Sequence, residues 1–288
     1  MKNNRWVCLD GAILKEPDAM IPAVQTGLFY GVGCFETMLF ESGYIFRYEE
    51  HMNRMYSALR YLGLPEDLFP GMEKMRQDIH HLIGHCGFEN QRVRVRIQVS
   101  LIEKEGYFVD EFVKPINLIT VEPVQENLNP AILFQTKTRV VPDVSRPVHF
   151  KLSNLLHYRN AFRKAQREGA DDALMLTTNG FLAETATANI FWKKGNTIYT
   201  PSGLCDILPG IMRDAIIEII ENDDTYNLKE GKFYSTALNN AETVWLTNSV
   251  IEIRAVKSLD GKAFPIDEQF MSYLKGELKE LKETGLRV

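Results

Sequence analysis

The stretch Arg92-Val-Arg-Val-Arg-Ile-Gln-Val-Ser100 alternates polar and apolar side chains at every step. Successive side chains of an extended chain point to opposite faces, so the stretch is a strand with Arg92, Arg94 and Arg96 on one face. Other local patterns build around it. Two apolar runs flank an Asp-Gly turn in residues 5–14 and read as a hairpin, and residues 116–121 read as a further strand. Glu49 to Leu62 is predicted helical, with Met52, Met55, Leu59 and Leu62 at the spacing of a core stripe and Gly63-Leu64-Pro65 as its stop. A second helix is predicted over Gly71 to His85. Beyond residue 130, strands at 131–136, 173–177, 189–193, 197–200 and 243–247 mix with helices near 154–168, 211–221, 235–241 and 268–284. This order is not a simple βαβ alternation and holds no repeat, so the expected class is α+β. The polar segment Glu122-Pro-Val-Gln-Glu-Asn-Leu-Asn-Pro130 is bounded by prolines. It predicts a small N-terminal domain over 1–122, a linker over 123–130 and a larger domain over 131–288.

Composition narrows the partners. With 45% apolar residues, 25% charged residues and a net charge of -5, the chain is an ordinary globular one, with no basic surplus for nucleic acid or an anionic membrane. No apolar run reaches the length of a membrane span. The first residues carry charge but no following apolar stretch, and Cys8, Cys34, Cys86 and Cys205 are scattered, so reduced thiols in the cytoplasm are expected. His81 and His85 have metal-ligand spacing, yet no carboxylate lies between them, and no metal is expected. Gly31 and Gly33 lack the third glycine of a dinucleotide fingerprint and precede an apolar strand rather than a helix, which favours a turn entering a strand.

Three segments between His149 and Arg213 carry chemistry. They supply an amine (Lys151, in Lys-Leu-Ser-Asn-Leu-Leu156), a carboxylate (Glu184, in Gly-Phe-Leu-Ala-Glu-Thr-Ala-Thr-Ala-Asn-Ile-Phe191) and a tight turn feeding a helix (Ile207-Leu-Pro-Gly-Ile-Met-Arg213). Upstream, Arg54 lies near the core stripe of its helix. There an arginine either pairs at the surface or reaches inward with its stem on apolar neighbours. The three arginines of the 92–100 strand are either a solvated face or a set of forks for a carboxylate.

Together with Gly27-Leu-Phe-Tyr-Gly-Val-Gly-Cys-Phe-Glu-Thr37, Glu50-His51-Met-Asn-Arg54-Met55, Gly169-Ala-Asp-Asp-Ala-Leu174, Thr200-Pro201 and Thr247-Asn248-Ser249, these segments resemble the class IV (fold-type IV) aminotransferases. That family includes branched-chain and D-amino-acid aminotransferases and aminodeoxychorismate lyase. The resemblance runs from about Trp6 to Val256. It implies two domains, the larger with a barrel-like core, pyridoxal 5'-phosphate (PLP) between them, and a homodimer. It implies Lys151 as the Schiff-base lysine and proton shuttle, and Glu184 as the carboxylate that keeps the ring nitrogen protonated. Arg54, the backbone N–H groups of Ile211 and Met212, and Asn248 with Ser249 would hold the phosphate.

Three departures from the family pattern matter. Met212 replaces a common threonine and Leu156 a tyrosine of the branched-chain enzymes. Ser100-Leu101-Ile102 stands where relatives have an Arg-Gly pair, which leaves Arg96 as the candidate carboxylate binder. The expected activity is amino transfer between an amino acid and a 2-oxo acid. The alternatives are release of pyruvate from aminodeoxychorismate and a non-catalytic ligand-binding descendant of the fold.

Overall fold

The computed structural model describes residues 5–103, 112–126 and 129–284. It divides into two compact units, Met1–Gln125 with Phe150–Asn154, and Glu126–His149 with Leu155–Val288. Residues 127 and 128 of the expected linker lie outside the described residues.

The first unit is an antiparallel sheet covered by two helices. Its elements are β1 (Trp6–Leu9), β2 (Ala12–Lys15), α1 (Thr26–Tyr30), β3 (Gly33–Glu41), β4 (Tyr44–Ile45), α2 (Tyr48–Tyr61), α3 (Met72–Cys86), β5 (Val93–Glu103) and β6 (Phe112–Pro123). The six strands are ordered β2-β1-β6-β5-β3-β4. β1 and β2 form the expected hairpin. Asp10 and Gly11 both have positive φ (49° and 86°), as a two-residue turn matched to strand twist requires. The alternation in β5 holds: Val93, Val95, Ile97 and Val99 are fully buried against Met52, Met55 and Leu59 of α2 and Ile79, Leu82 and Ile83 of α3. The turn before β3 contains a short helix, α1, which the sequence pattern did not show. Gly31 caps its end and Gly33 begins the strand, the reverse of the strand-then-helix order a dinucleotide loop needs. His85 packs edge-on against Trp6, with ring centroids 4.3 Å apart.

The lysine segment belongs to this unit. Residues 150–154 run extended beside the start of β3. Phe35 N–H donates to the Lys151 carbonyl and Ser153 N–H to the Gly33 carbonyl, each at 2.9 Å. Gln98 of β5 reaches across to the Ser153 hydroxyl at 2.7 Å.

The second unit contains β7 (Ala131–Arg139), α4 (Leu156–Arg167), β8 (Asp172–Leu176), β9 (Leu182–Thr185), β10 (Asn189–Lys194), β11 (Thr197–Pro201), α5 (Ile211–Glu221), β12 (Asn227–Gly231), β13 (Thr243–Asn248), β14 (Glu252–Leu259), β15 (Lys262–Ala263) and α6 (Glu268–Thr284). The main strand path is β12-β11-β10-β13-β14-β7-β8-β9, with β15 beside β14. The terminal strand β9 also packs on β10 and β11, so the sheet curls back on itself as a barrel-like core. Ile190, Trp192, Val244 and Leu246 fill one cluster. Ala161 and Ala165 of α4 pack on Ala173, Met175 and Ala183 in another. The helix expected at 235–241 is a 3-10 segment, Ser235–Asn240, in which Leu238 alone is buried. One apolar anchor does not sustain an α-helical stripe.

Candidate active site

In the first unit, β3 and α2 build a buried charge cluster. Side chains paired across a sheet share a face, and Glu36 pairs with Ile97, so Glu36 points to the helix-covered side. It is fully buried there. Arg54 donates from Nε to Glu36 Oε1 at 2.7 Å and from Nη2 to Oε2 at 2.9 Å, a two-pronged fork. His51 Nδ1 lies 2.8 Å from the same Oε2. Burial by itself would raise the Glu36 carboxyl, but the Arg54 charge and then His51 hold it well below the usual carboxylate range. Burial pulls the His51 imidazole below its ordinary value despite Glu36, so Nδ1–H donates from a neutral ring. Arg54 therefore reaches inward, the second of its two sequence readings, and its guanidinium is held rigid by a carboxylate.

The opposite face of the sheet carries the arginine row. Arg92 pairs with Glu41 at 3.1 Å, and Arg94 pairs with Glu122. Arg96 differs: its guanidinium stacks 3.8 Å from the Phe35 ring and donates to Gln98 Oε1 at 2.9 Å. Lys151 Nζ lies 4.8 Å from that same ring. The row is thus an ion-pair face at 92 and 94, and at 96 a half-buried cation that shares the Phe35 ring with Lys151. The fold sets Arg54 and Arg96 on opposite sides of one sheet.

In the second unit, Glu184 sits at the end of β9, 5% exposed. The Tyr158 hydroxyl, from α4, donates to Oε1 at 2.6 Å. Asn189 Nδ2, at the start of β10, and the Leu208 N–H donate to Oε2 at 3.0 and 3.2 Å. All of these donors favour the charged carboxylate. Asn189 also donates to the Leu208 carbonyl at 2.9 Å, which ties the carboxylate to the turn that feeds α5. Gly210 caps that helix. A Cβ there would stand 2.2 Å from Asn189 Oδ1, so the close approach demands glycine. Ile211 and Met212 then open α5, where first-turn N–H groups have no partner inside the helix and attract anions. The Met212 side chain is buried, so its backbone is what it offers a ligand. Arg213 is structural: it turns into the core and donates to the Pro201 carbonyl at 2.9 Å.

Asn248 ends β13 and donates to the Thr187 carbonyl at 2.9 Å, while its Oδ1 accepts from the Val250 and Ile251 N–H groups at 2.9 Å. It shapes the loop that carries Ser249. The β9–β10 turn is braced from beneath by Asp172, which accepts from Thr185 Oγ1 at 2.7 Å and Thr187 Oγ1 at 2.6 Å. Glu184, the α5 N-terminus and the Asn248–Ser249 loop are thereby one connected polar frame.

Glu36, His51, Tyr158, Asn189 and Asp172 were given no role by sequence reasoning. Each lay in or beside a quoted motif. A buried tyrosine hydroxyl on the α4 stripe Tyr158–Ala161–Ala165 announces that it needs a partner, but not which one. Leu156 is 69% exposed, and the buried tyrosine is two residues on. Among the described residues, no group of three or more His, Cys, Asp or Glu is arranged to hold a metal ion. No described helix is long and apolar enough to cross a membrane.

The profile of the family Amino-transferase class IV matches residues 33–259. The chain is 31% identical over 254 residues to the aminodeoxychorismate lyase of Bacillus subtilis, covering 86% of this chain and 84% of the relative. It is 22% identical over 274 residues to the branched-chain-amino-acid aminotransferase of Escherichia coli, covering 90% and 86%. Among solved structures, the branched-chain aminotransferase of the archaeon Thermoproteus uzoniensis with norvaline superposes with a TM-score of 0.86 at 23% identity, over 97% of this chain and 96% of that one.

Proposed function

The chain belongs to the class IV aminotransferases, and on that premise we propose that it is a PLP-dependent enzyme moving an amino group from an amino acid to a 2-oxo acid. The observation that carries this reading is the frame around Glu184: a buried carboxylate, stabilised as an anion by neutral donors, joined through Asn189 to a helix N-terminus. One end suits a cationic ring N–H and the other a phosphate. The cofactor fits the donors present. When bound, it supplies an aldehyde carbon and an electron-withdrawing ring.

The chain's own residues divide the remaining work. Glu184 holds a proton at the ring nitrogen through its charge. Lys151, anchored by its backbone to Phe35, supplies the amine that anchors the cofactor and moves the proton at the substrate α-carbon. Arg54 and the N–H groups of Ile211 and Met212 bind phosphate, with Asn248 and Ser249 completing the set. Arg96 binds a substrate carboxylate, a role supported by its approach, with Lys151, to the Phe35 ring. The working form is a homodimer, for which Leu28 and Phe29, 62% and 57% exposed, supply apolar surface.

Purified protein should be yellow. Borohydride should fix the cofactor to Lys151, read by peptide mass, and an amino donor in single turnover should convert bound PLP to the pyridoxamine form. A chain that takes up no PLP overturns the reading. The higher identity to the Bacillus subtilis lyase favours a second one, release of pyruvate from aminodeoxychorismate with 4-aminobenzoate as co-product. If no amino acid converts the cofactor and aminodeoxychorismate yields both products, the second reading replaces the first.

A further inference from the structure

Tyr158 stands on the buried stripe of α4, with its hydroxyl 2.6 Å from one oxygen of Glu184, while Asn189 and the Leu208 N–H meet the other oxygen. Asn189 and Leu208 also hold the turn into α5, so their contacts serve the backbone. The phenol is different. It arrives from a separate helix, and its hydroxyl hydrogen bond goes to the carboxylate. We propose that Tyr158 is a positioning residue that sets where the proton shared by Glu184 and the cofactor's ring nitrogen resides. This inference rests on the reading of Glu184 as the partner of that nitrogen.

The physical argument concerns basicity. A donor to a carboxylate stabilises its charged form and weakens its hold on a proton. With the phenol in place, Glu184 is the weaker base of the pair and the proton stays on the ring nitrogen. Without it, Glu184 becomes more basic and draws the proton towards itself. The phenol can act this way only while it keeps its own proton. Burial, then the charge of Glu184 and the hydrogen bond to it, holds its ionisation well above the ordinary value. The other groups facing it are Arg146, 5.8 Å from the ring, His157, with ring centroids 4.5 Å apart, and the charge of Asp206. Burial and then Arg146 push His157 down to about 4, so His157 is neutral at neutral pH and leaves the phenol's proton undisturbed.

The test compares wild type with Tyr158→Phe, both loaded with PLP labelled with 15N in its ring. Tyr158→Phe should move the ring 15N resonance towards that of the unprotonated ring. It should also lower kcat by about tenfold, the loss expected of one hydrogen bond to a charged group, with KM little changed. A Tyr158→Phe holoenzyme whose ring resonance and pH–rate profile match the wild type overturns this inference alone. A wild-type chain that binds no PLP overturns the functional reading and this inference with it. If Tyr158→Phe does not fold, the apo wild type and apo Glu184→Gln are compared by ultraviolet titration of tyrosine. The titration of one phenol should move to lower pH in Glu184→Gln, and an unchanged tyrosine titration overturns the coupling.

Discussion

Two buried glutamates, one in each unit, show how surroundings assign different work to the same side chain. Glu36 meets a guanidinium fork and an imidazole, so its charge is cancelled where it stands. Glu184 meets a phenol, a carboxamide and a backbone N–H, neutral donors that favour its charged form. The first arrangement is a brace: it fixes the direction of Arg54. The second keeps a negative charge available in a buried place, which is what holding a proton on a ligand requires.

The largest test of this contrast is Glu184→Gln. It keeps the shape but turns one acceptor oxygen into an N–H donor and removes the charge. PLP titration should show retained binding, while kcat falls by several powers of ten at ~1.4 kcal/mol each. Wild-type turnover would reassign Glu184 to the bracing class. Next comes Glu36→Gln, which removes the buried carboxylate charge that the Arg54 fork meets. Chemical denaturation should show a loss of about 3–5 kcal/mol. PLP affinity should weaken with it, because Arg54 loses its fixed direction. If stability is unchanged, Glu36 is no brace.

A smaller effect sharpens the second region. Gly210→Ala brings a methyl against Asn189 Oδ1 and should destabilise the protein by about 1–3 kcal/mol. Asn189→Ala removes that oxygen, so in its background Gly210→Ala should cost much less. A double-mutant cycle on unfolding free energies reads the coupling, and simple additivity would rule out the contact.

The last prediction concerns pH and the first region. The folded-state pKa of His51 is depressed from 6.5, so the unfolded chain binds the proton first as pH falls. Its contribution is whole above 6.5 and erodes below. Glu36, depressed from 4.5, adds a second loss of the same sign as pH falls below that value. Denaturation midpoints across this range should decline in two stages, with the lower stage smaller in Glu36→Gln. A flat profile above 4.5 would mean that the folded-state pKa of His51 is not depressed.

What the sequence determined by itself was local. Strict alternation located β5 and its buried face. A helical stripe located α2 within a residue or so, and Ile211–Glu221 emerged as α5 with the bounds expected. The Asp-Gly pair gave its turn. These follow from two short periodicities and from turn chemistry, which depend on near neighbours. Short or weakly apolar elements escaped. β9 spans four residues, too few to show a period, and Asn-Leu-Lys-Glu-Gly of β12 holds a single apolar side chain. The motifs also pointed to Lys151, Glu184 and Arg54 as chemistry-bearing residues, but not to what holds them. Arg54 meets Glu36 across 18 residues and Tyr158 meets Glu184 across 26. Such pairings are created by strand register and helix docking, which no local pattern encodes. Tertiary structure alone therefore decided that one buried glutamate meets a guanidinium while the other meets a phenol and a carboxamide.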